Sequence, residues 1–151
     1  MPLKIADILP LEAVLPDLQA QTQDAVLAEL AAPLVALHPE LKRHDLVHTL
    51  CEREKMGSTA VGDGVAIPHG KVPDLETVIL AVGRSHKGVE FAAPDHAPCH
   101  LFFLILAPEQ GAGQHLRLLA QIARRAKDSV FRSEMLLADN QKQLWQTITA
   151  P

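Results

Sequence analysis

Tyrosine is absent from this 151-residue chain, and phenylalanine and tryptophan together make up only 3% of it. Stacking of nucleic-acid bases on aromatic faces has almost no material here, and a core must be built from Leu, Val, Ile and Ala. Positive charge is not in excess either. Fourteen Lys and Arg stand against 18 Asp and Glu, a formal net charge of −4. That balance excludes the basic footprint of a nucleic-acid or anionic-membrane binder. There are only two cysteines, Cys51 and Cys99, with no CxxC spacing or other zinc framework. They read as two small buried hydrophobes in a reducing compartment. Long hydrophobic runs are missing: the longest, Leu101 to Ala107, is far short of the roughly 20 residues of a membrane helix. The start, Met1-Pro2-Leu3-Lys4-Ile5-Ala6-Asp7, lacks the charged opening and apolar segment of a secretory signal. A cytoplasmic protein is expected, with no direct membrane insertion and no nucleic-acid partner.

What is present is globular. Hydrophobic residues make up 48% and charged ones 21%, and the length suits a single domain over residues 1–151. Ile5 to Pro16 reads as an irregular or short strand lead. Thr22 and Asp24 can cap a helix to about Leu37 with Val26, Leu27, Leu30, Leu34 and Leu37 on one face, and Pro33 predicts a kink or break in it. A second helix, from about Arg43 to Met56, should bury Leu46, Val47 and Leu50 and stop at Gly57. Ser58 to Val61 and Gly64 to Pro68 read as strands around an Asp63-Gly64 turn. Thr77 to Gly83 and Leu101 to Ala107 are continuously apolar, as in strands covered on both faces, and a shorter strand should include Val89 and Phe91. A helix from about Gln114 to Lys127 should turn Leu116, Leu119, Ile122, Ala123 and Ala126 inward. Short helices near Ser133 to Ala138 and Gln141 to Ile148 follow. The pattern predicts an α/β fold, a single domain with a mixed β-sheet flanked by helices on both faces.

Several chemistries find no support. The glycines follow no P-loop or dinucleotide pattern, and Asp7, Glu12, Asp74 and Glu76 form no catalytic carboxylate pair. His44, His48 and Glu52 share a helix face like half of a metal site, but no third and fourth ligands accompany them, so a solvated stripe is the reading. His38, His86, His96 and His100 show no pairing pattern. One histidine stands out. In Gly64-Val65-Ala66-Ile67-Pro68-His69-Gly70, His69 is held between a residue with fixed φ and one with free φ. Such an imidazole suits presentation of one nitrogen to a reacting partner, and equally a plain structural turn. His115 follows Gly111-Ala112-Gly113 at the start of a helix, where an anion is favoured and where a capping surface histidine is also common.

The segment from Arg53 to Gly70, with Arg53-Glu54-Lys55-Met56-Gly57-Ser58-Thr59 and Ala66-Ile67-Pro68-His69-Gly70, resembles the active-site segment of enzyme IIA. The branch resembled is the fructose, mannitol and nitrogen-regulatory one of the bacterial phosphotransferase system. The likeness continues through Pro108 to the His115-Leu116 pair. It implies that His69 accepts a phosphoryl group on Nε2 and that His115 steadies that group without accepting it. It implies too that the Arg53 guanidinium neutralises charge there, where residue type alone would also allow a solvated helix-end arginine. Ser58 and Thr59 match the family's Ser-Thr pair and either donate to phosphoryl oxygens or satisfy strand edges. Where that family has Gly or Asn after Asp95, this chain has His96, which puts the turn geometry in question.

The resemblance implies a donor that is an HPr-like or nitrogen-branch phosphocarrier protein, with no cofactor and no metal. The length and the Arg53 to Thr59 wording look most like the nitrogen-regulatory enzyme IIA, whose phosphorylation state controls binding to regulatory target proteins. Two other readings are a sugar-specific enzyme IIA that passes phosphate to an enzyme IIB, and a non-catalytic metal-binding or structural module.

Overall fold

The two continuously apolar stretches lie side by side as antiparallel strands at the middle of an open sheet. In a computed structural model, which describes residues 4–43, 45–110 and 112–150, the chain runs α1 (Ile5–Ile8), β1 (Val14–Leu15), α2 (Gln23–Leu37), α3 (Leu46–Lys55), β2 (Ala60–Gly62), β3 (Val65–Ala66), β4 (His69–Val72), β5 (Ile79–Val89), β6 (Cys99–Pro108), α4 (Ala112–Ala126), α5 (Ser129–Leu137) and α6 (Gln141–Thr149). Single 3-10 turns cover Leu11–Ala13 and Pro39–Arg43. The strand order is β1-β5-β6-β3-β2, and β4 also pairs with β6. β1 runs parallel to β5, and β3 and β4 run parallel to β6, while β5–β6 and β2–β3 are antiparallel. The sheet is mixed, as the sequence predicts.

Neighbouring residues of β5 show why helices cover both faces, since successive side chains in a strand point oppositely. Towards α2 there is no room at Gly83, where a Cβ would stand 2.7 Å from Leu18 Cδ1 and 2.8 Å from Leu30 Cδ2. Arg84 points to the other face and is buried. Its Nη1 donates to Met135 O at 2.8 Å and Ala138 O at 2.7 Å, and its Nε donates to Pro16 O at 3.0 Å. Those acceptors include carbonyls that the end of α5 leaves without intrahelical donors. The scarce aromatics lie inside: Phe91 meets Phe102 edge-on at 5.3 Å, and Phe103 stacks on Phe131 at 6.5 Å.

Several elements differ from the expectation. The N-terminal lead holds the expected short strand, of two residues, but also a helix and a 3-10 turn before it. α2 continues through Pro33, because Val26, Leu27, Leu30, Ala31 and Leu34 bury its apolar face on both sides of the proline; Leu37 is exposed. α3 begins at Leu46, where the Asp45 side chain caps it by accepting from His48 N at 3.2 Å, and Val47 is only half-buried. β2 starts at Ala60; the Thr59 amide before it donates to Glu54 Oε2 at 3.0 Å and not to a neighbouring strand. Val89 closes β5, while Phe91 lies outside any strand yet is fully buried. In α4 Ile122 and Ala126 are buried and Leu119 and Ala123 half-buried against the core as expected, but His115 and Leu118 also face inward while Leu116 is exposed. The Asp63-Gly64 turn has positive φ at both residues, and His96 takes φ 60° in its own turn.

Cys99 is buried and Cys51 half-buried, and burial pushes both thiols up to about 11. His48 and Glu52 are exposed, and His44 lies outside the described residues. Among the described residues no three His, Cys, Asp or Glu gather to hold a metal ion. No described helix is long and apolar enough to cross a membrane.

Candidate functional site

Pro68 creates the site locally. It has no N–H to offer β6, so the ladder is interrupted between β3 and β4. The backbone on both sides is nonetheless held. Ile67 N–H donates to Thr59 O at 3.0 Å, and Pro68 O accepts from Ile105 N–H at 2.9 Å. His69 follows as the first residue of β4, half-buried and paired with Ile105. Its Nδ1 lies 2.9 Å from Ile67 O. A carbonyl only accepts, so Nδ1 carries the proton and the neutral ring keeps its lone pair on Nε2.

The second imidazole comes from a distant part of the chain. His115 lies in the first turn of α4, the end where unpaired N–H groups favour an anion. Its ring centroid is 5.2 Å from that of His69, with the planes tilted by 58°. Its Nε2 is buried and has no hydrogen-bond partner among the described residues. An unpartnered buried polar atom is uncommon and needs a reason. Burial pushes the His115 imidazole below its ordinary basicity, and the nearby His69 and Lys71 push it the same way. Lys71 stands two residues after His69 in β4, hence on the same side of the sheet, with its side chain exposed.

The structure therefore brings His69 and His115 together. The other candidates lie in the segment that leads to β2. Arg53 is half-buried and its Nη1 donates to Gly57 O at 2.9 Å. Ser58 Oγ donates to Phe91 O at 2.5 Å and accepts from Ala60 N at 3.1 Å. Thr59 is buried; its hydroxyl donates to Glu54, and its amide donates to Glu54 Oε2 at 3.0 Å. None of these bonds reaches either imidazole. Sequence reasoning passed over two residues, Lys71 and Glu54. The strand period counted from His69 could have flagged Lys71. Nothing in the sequence marks Glu54 as buried among exposed helix-end neighbours.

Comparison with known proteins bears on the chain as a whole. Residues 7–150 match the family model described as the phosphoenolpyruvate-dependent sugar phosphotransferase system, EIIA 2. A nitrogen regulatory protein of Bradyrhizobium diazoefficiens is 37% identical over 147 residues, covering 97% of this chain and 95% of that protein. A fructose-specific EIIA component of Haloferax volcanii is 32% identical over 146 residues, covering 97% and 94%. The crystal structure of nitrogen regulatory protein IIA-Ntr from Neisseria meningitidis matches with a TM-score of 0.87 at 31% identity, covering 96% of this chain and 99% of that one. With paired imidazoles at the site and a family match along almost its whole length, the chain belongs to the EIIA type 2 family of the phosphotransferase system.

Proposed function

We propose that His69 accepts a phosphoryl group on Nε2 from the phosphohistidine of a small phosphocarrier protein, and that its phosphorylation state regulates nitrogen or other metabolic target proteins in the cytoplasm. The observation that carries this reading is the His69 ring tied through Nδ1 to Ile67 O beside the unpartnered Nε2 of His115. The step is an in-line displacement. The Nε2 lone pair forms a bond to phosphorus, the donor's N–P bond breaks, and its electron pair stays on the donor imidazole. No water is consumed and no cofactor is required. Transfer between two imidazoles is nearly isoenergetic, so alignment and charge stabilisation are what the protein contributes. The start of α4, Lys71 and the His115 ring supply that stabilisation, with Arg53 in reserve on the neighbouring segment.

A second reading is a sugar-specific enzyme IIA that passes the group to an enzyme IIB, favoured by the likeness to a fructose-specific EIIA component along nearly the full chain. The regulatory reading draws on the nitrogen regulatory relatives. Family membership speaks against a metal-binding or purely structural module. The test is incubation of the wild type and His69→Ala with phosphorylated general and nitrogen-branch phosphocarriers, followed by intact-mass measurement at alkaline pH. One acid-labile phosphoryl group on the wild type and none on the variant is the expected result. A phosphoryl group on the variant, or none on the wild type with either carrier, overturns it.

A further inference from the structure

We propose that Glu54 is a positioning residue for His69: through Thr59 and Ile67 it holds the carbonyl that decides which ring nitrogen of His69 carries the proton. This rests on the reading of His69 as the phosphoryl acceptor. Glu54 lies in the last turn of α3 and is buried, whereas the flanking Lys55 is exposed. Its carboxylate gathers three donors: the Thr59 amide at 3.0 Å, the Thr59 hydroxyl, and Gln23 Nε2 of α2 at 3.1 Å. A carboxylate is acceptor-only, which suits three donors. Thr59 in turn accepts the Ile67 amide on its own carbonyl at 3.0 Å, and Ile67 O meets His69 Nδ1 at 2.9 Å. Two hydrogen bonds join Glu54 to Thr59 and one each joins Thr59 to Ile67 and Ile67 to His69, so the chain runs unbroken from α3 to the imidazole.

Pro68 makes this route matter. The peptide that contains the Ile67 carbonyl ends in the proline nitrogen, which cannot donate, so no bond from that nitrogen holds its plane. The plane is fixed instead from its two ends, by the Ile67 amide on Thr59 and by Pro68 O on Ile105 N–H. Loss of Glu54 unties Thr59, the residue that holds the first of these. A role confined to tying the loop after α3 would change stability and leave the imidazole as it was.

The test uses the whole chain labelled with ¹⁵N-histidine, unphosphorylated, with long-range ¹H–¹⁵N spectra of His69 at pH 8. In the wild type the two ring nitrogens should give well-separated signals, with Nδ1 protonated. In Glu54→Leu the signals should converge as the proton exchanges between nitrogens, and phosphoryl acceptance should slow about 10-fold to 10²-fold from misplacement of the nucleophile. Glu54→Gln keeps an oxygen for the Thr59 amide and should restore both readouts to near wild-type values. A folded Glu54→Leu with an unchanged nitrogen pattern overturns the proposal, whatever happens to the rate. If that variant does not fold, Thr59→Val, which deletes only the hydroxyl arm, decides. A partial convergence supports the proposal and an unaltered pattern overturns it. The nitrogen spectra need no phosphoryl donor, so a wild type that refuses phosphate would sink the acceptor reading while the role of Glu54 is still measured.

Discussion

The rings of His69 and His115 stand 5.2 Å apart, one pinned through Nδ1 to its own backbone and the other with a buried nitrogen that has no partner. On the proposed reading the His69 ring takes the phosphoryl group and the His115 ring steadies it without accepting it. His115→Ala should therefore slow phosphoryl transfer about 10²–10³-fold in both directions, the usual cost of one lost donor to a developing charge. His69 should still fill on long incubation. Quench-flow with a labelled carrier measures this, and an unchanged rate would leave His115 only a packing role in α4.

Proton binding by His115 should show in the pH dependence of stability. Burial, His69 and Lys71 hold its folded-state pKa below the unfolded value of about 6.5. The unfolded chain then takes up a proton that the folded chain resists, so the stabilisation from neutral His115 is full above that value and lost as pH falls below it. Between pH 7.5 and 5 the urea midpoint of the wild type should fall more steeply than that of His115→Asn. Parallel slopes for the two proteins would refute this.

Gly83 is a packing constraint, since its missing Cβ is what lets Leu18 and Leu30 close onto the sheet. Gly83→Ala should destabilise by about 1–3 kcal/mol through overpacking. Adding Leu30→Ala should cost less than the sum of the two single changes, because the second deletion makes room for the first. Urea denaturation of the four proteins gives the coupling. Additivity would mean that the helix shifts instead.

Phosphorylation would bring roughly two negative charges to His69, by analogy with other phosphorylated side chains. A regulatory partner docking over this site should distinguish the two states, because burying an unpaired dianion is strongly unfavourable. Pull-downs with His69→Ala and the single-charge mimic His69→Glu should show partners held by the first and lost by the second. Rapid loss of label from the wild type to membranes in the presence of one sugar would establish transport instead.

The parts legible in sequence were those in which local chemistry and final position coincide. His69 was readable because Pro68 and Gly70 constrain it from either side. The strands from Ile79 and Leu101 were readable because they are buried on both faces and so apolar throughout. The inward face of α4 was legible in part: Ile122 and Ala126 are buried and Leu119 and Ala123 pack against the core, but Leu118 lies inside where Leu116 was expected. Phe91 has strand-like character but is buried by a contact with Phe102 that involves no ladder. Glu54 was invisible because one of its partners, Gln23, is 31 residues away in sequence. Pattern reading places side chains on faces; it does not say which distant donor meets them.

Pro68 interrupts the ladder without shifting it. Val65 lies opposite Leu101 before the gap and His69 opposite Ile105 after it, so the register carries over unchanged. The His69 ring is thus bolted to the middle of the molecule on both sides of the proline, and no stretch of slack backbone adjoins it. A group carried on such a ring has no tether to travel on. On the proposed reading a phosphoryl group on His69 has no loose backbone to carry it, so the partner's reacting atom must be brought to the ring. The chain is a fixed berth, and the vessels must come to it.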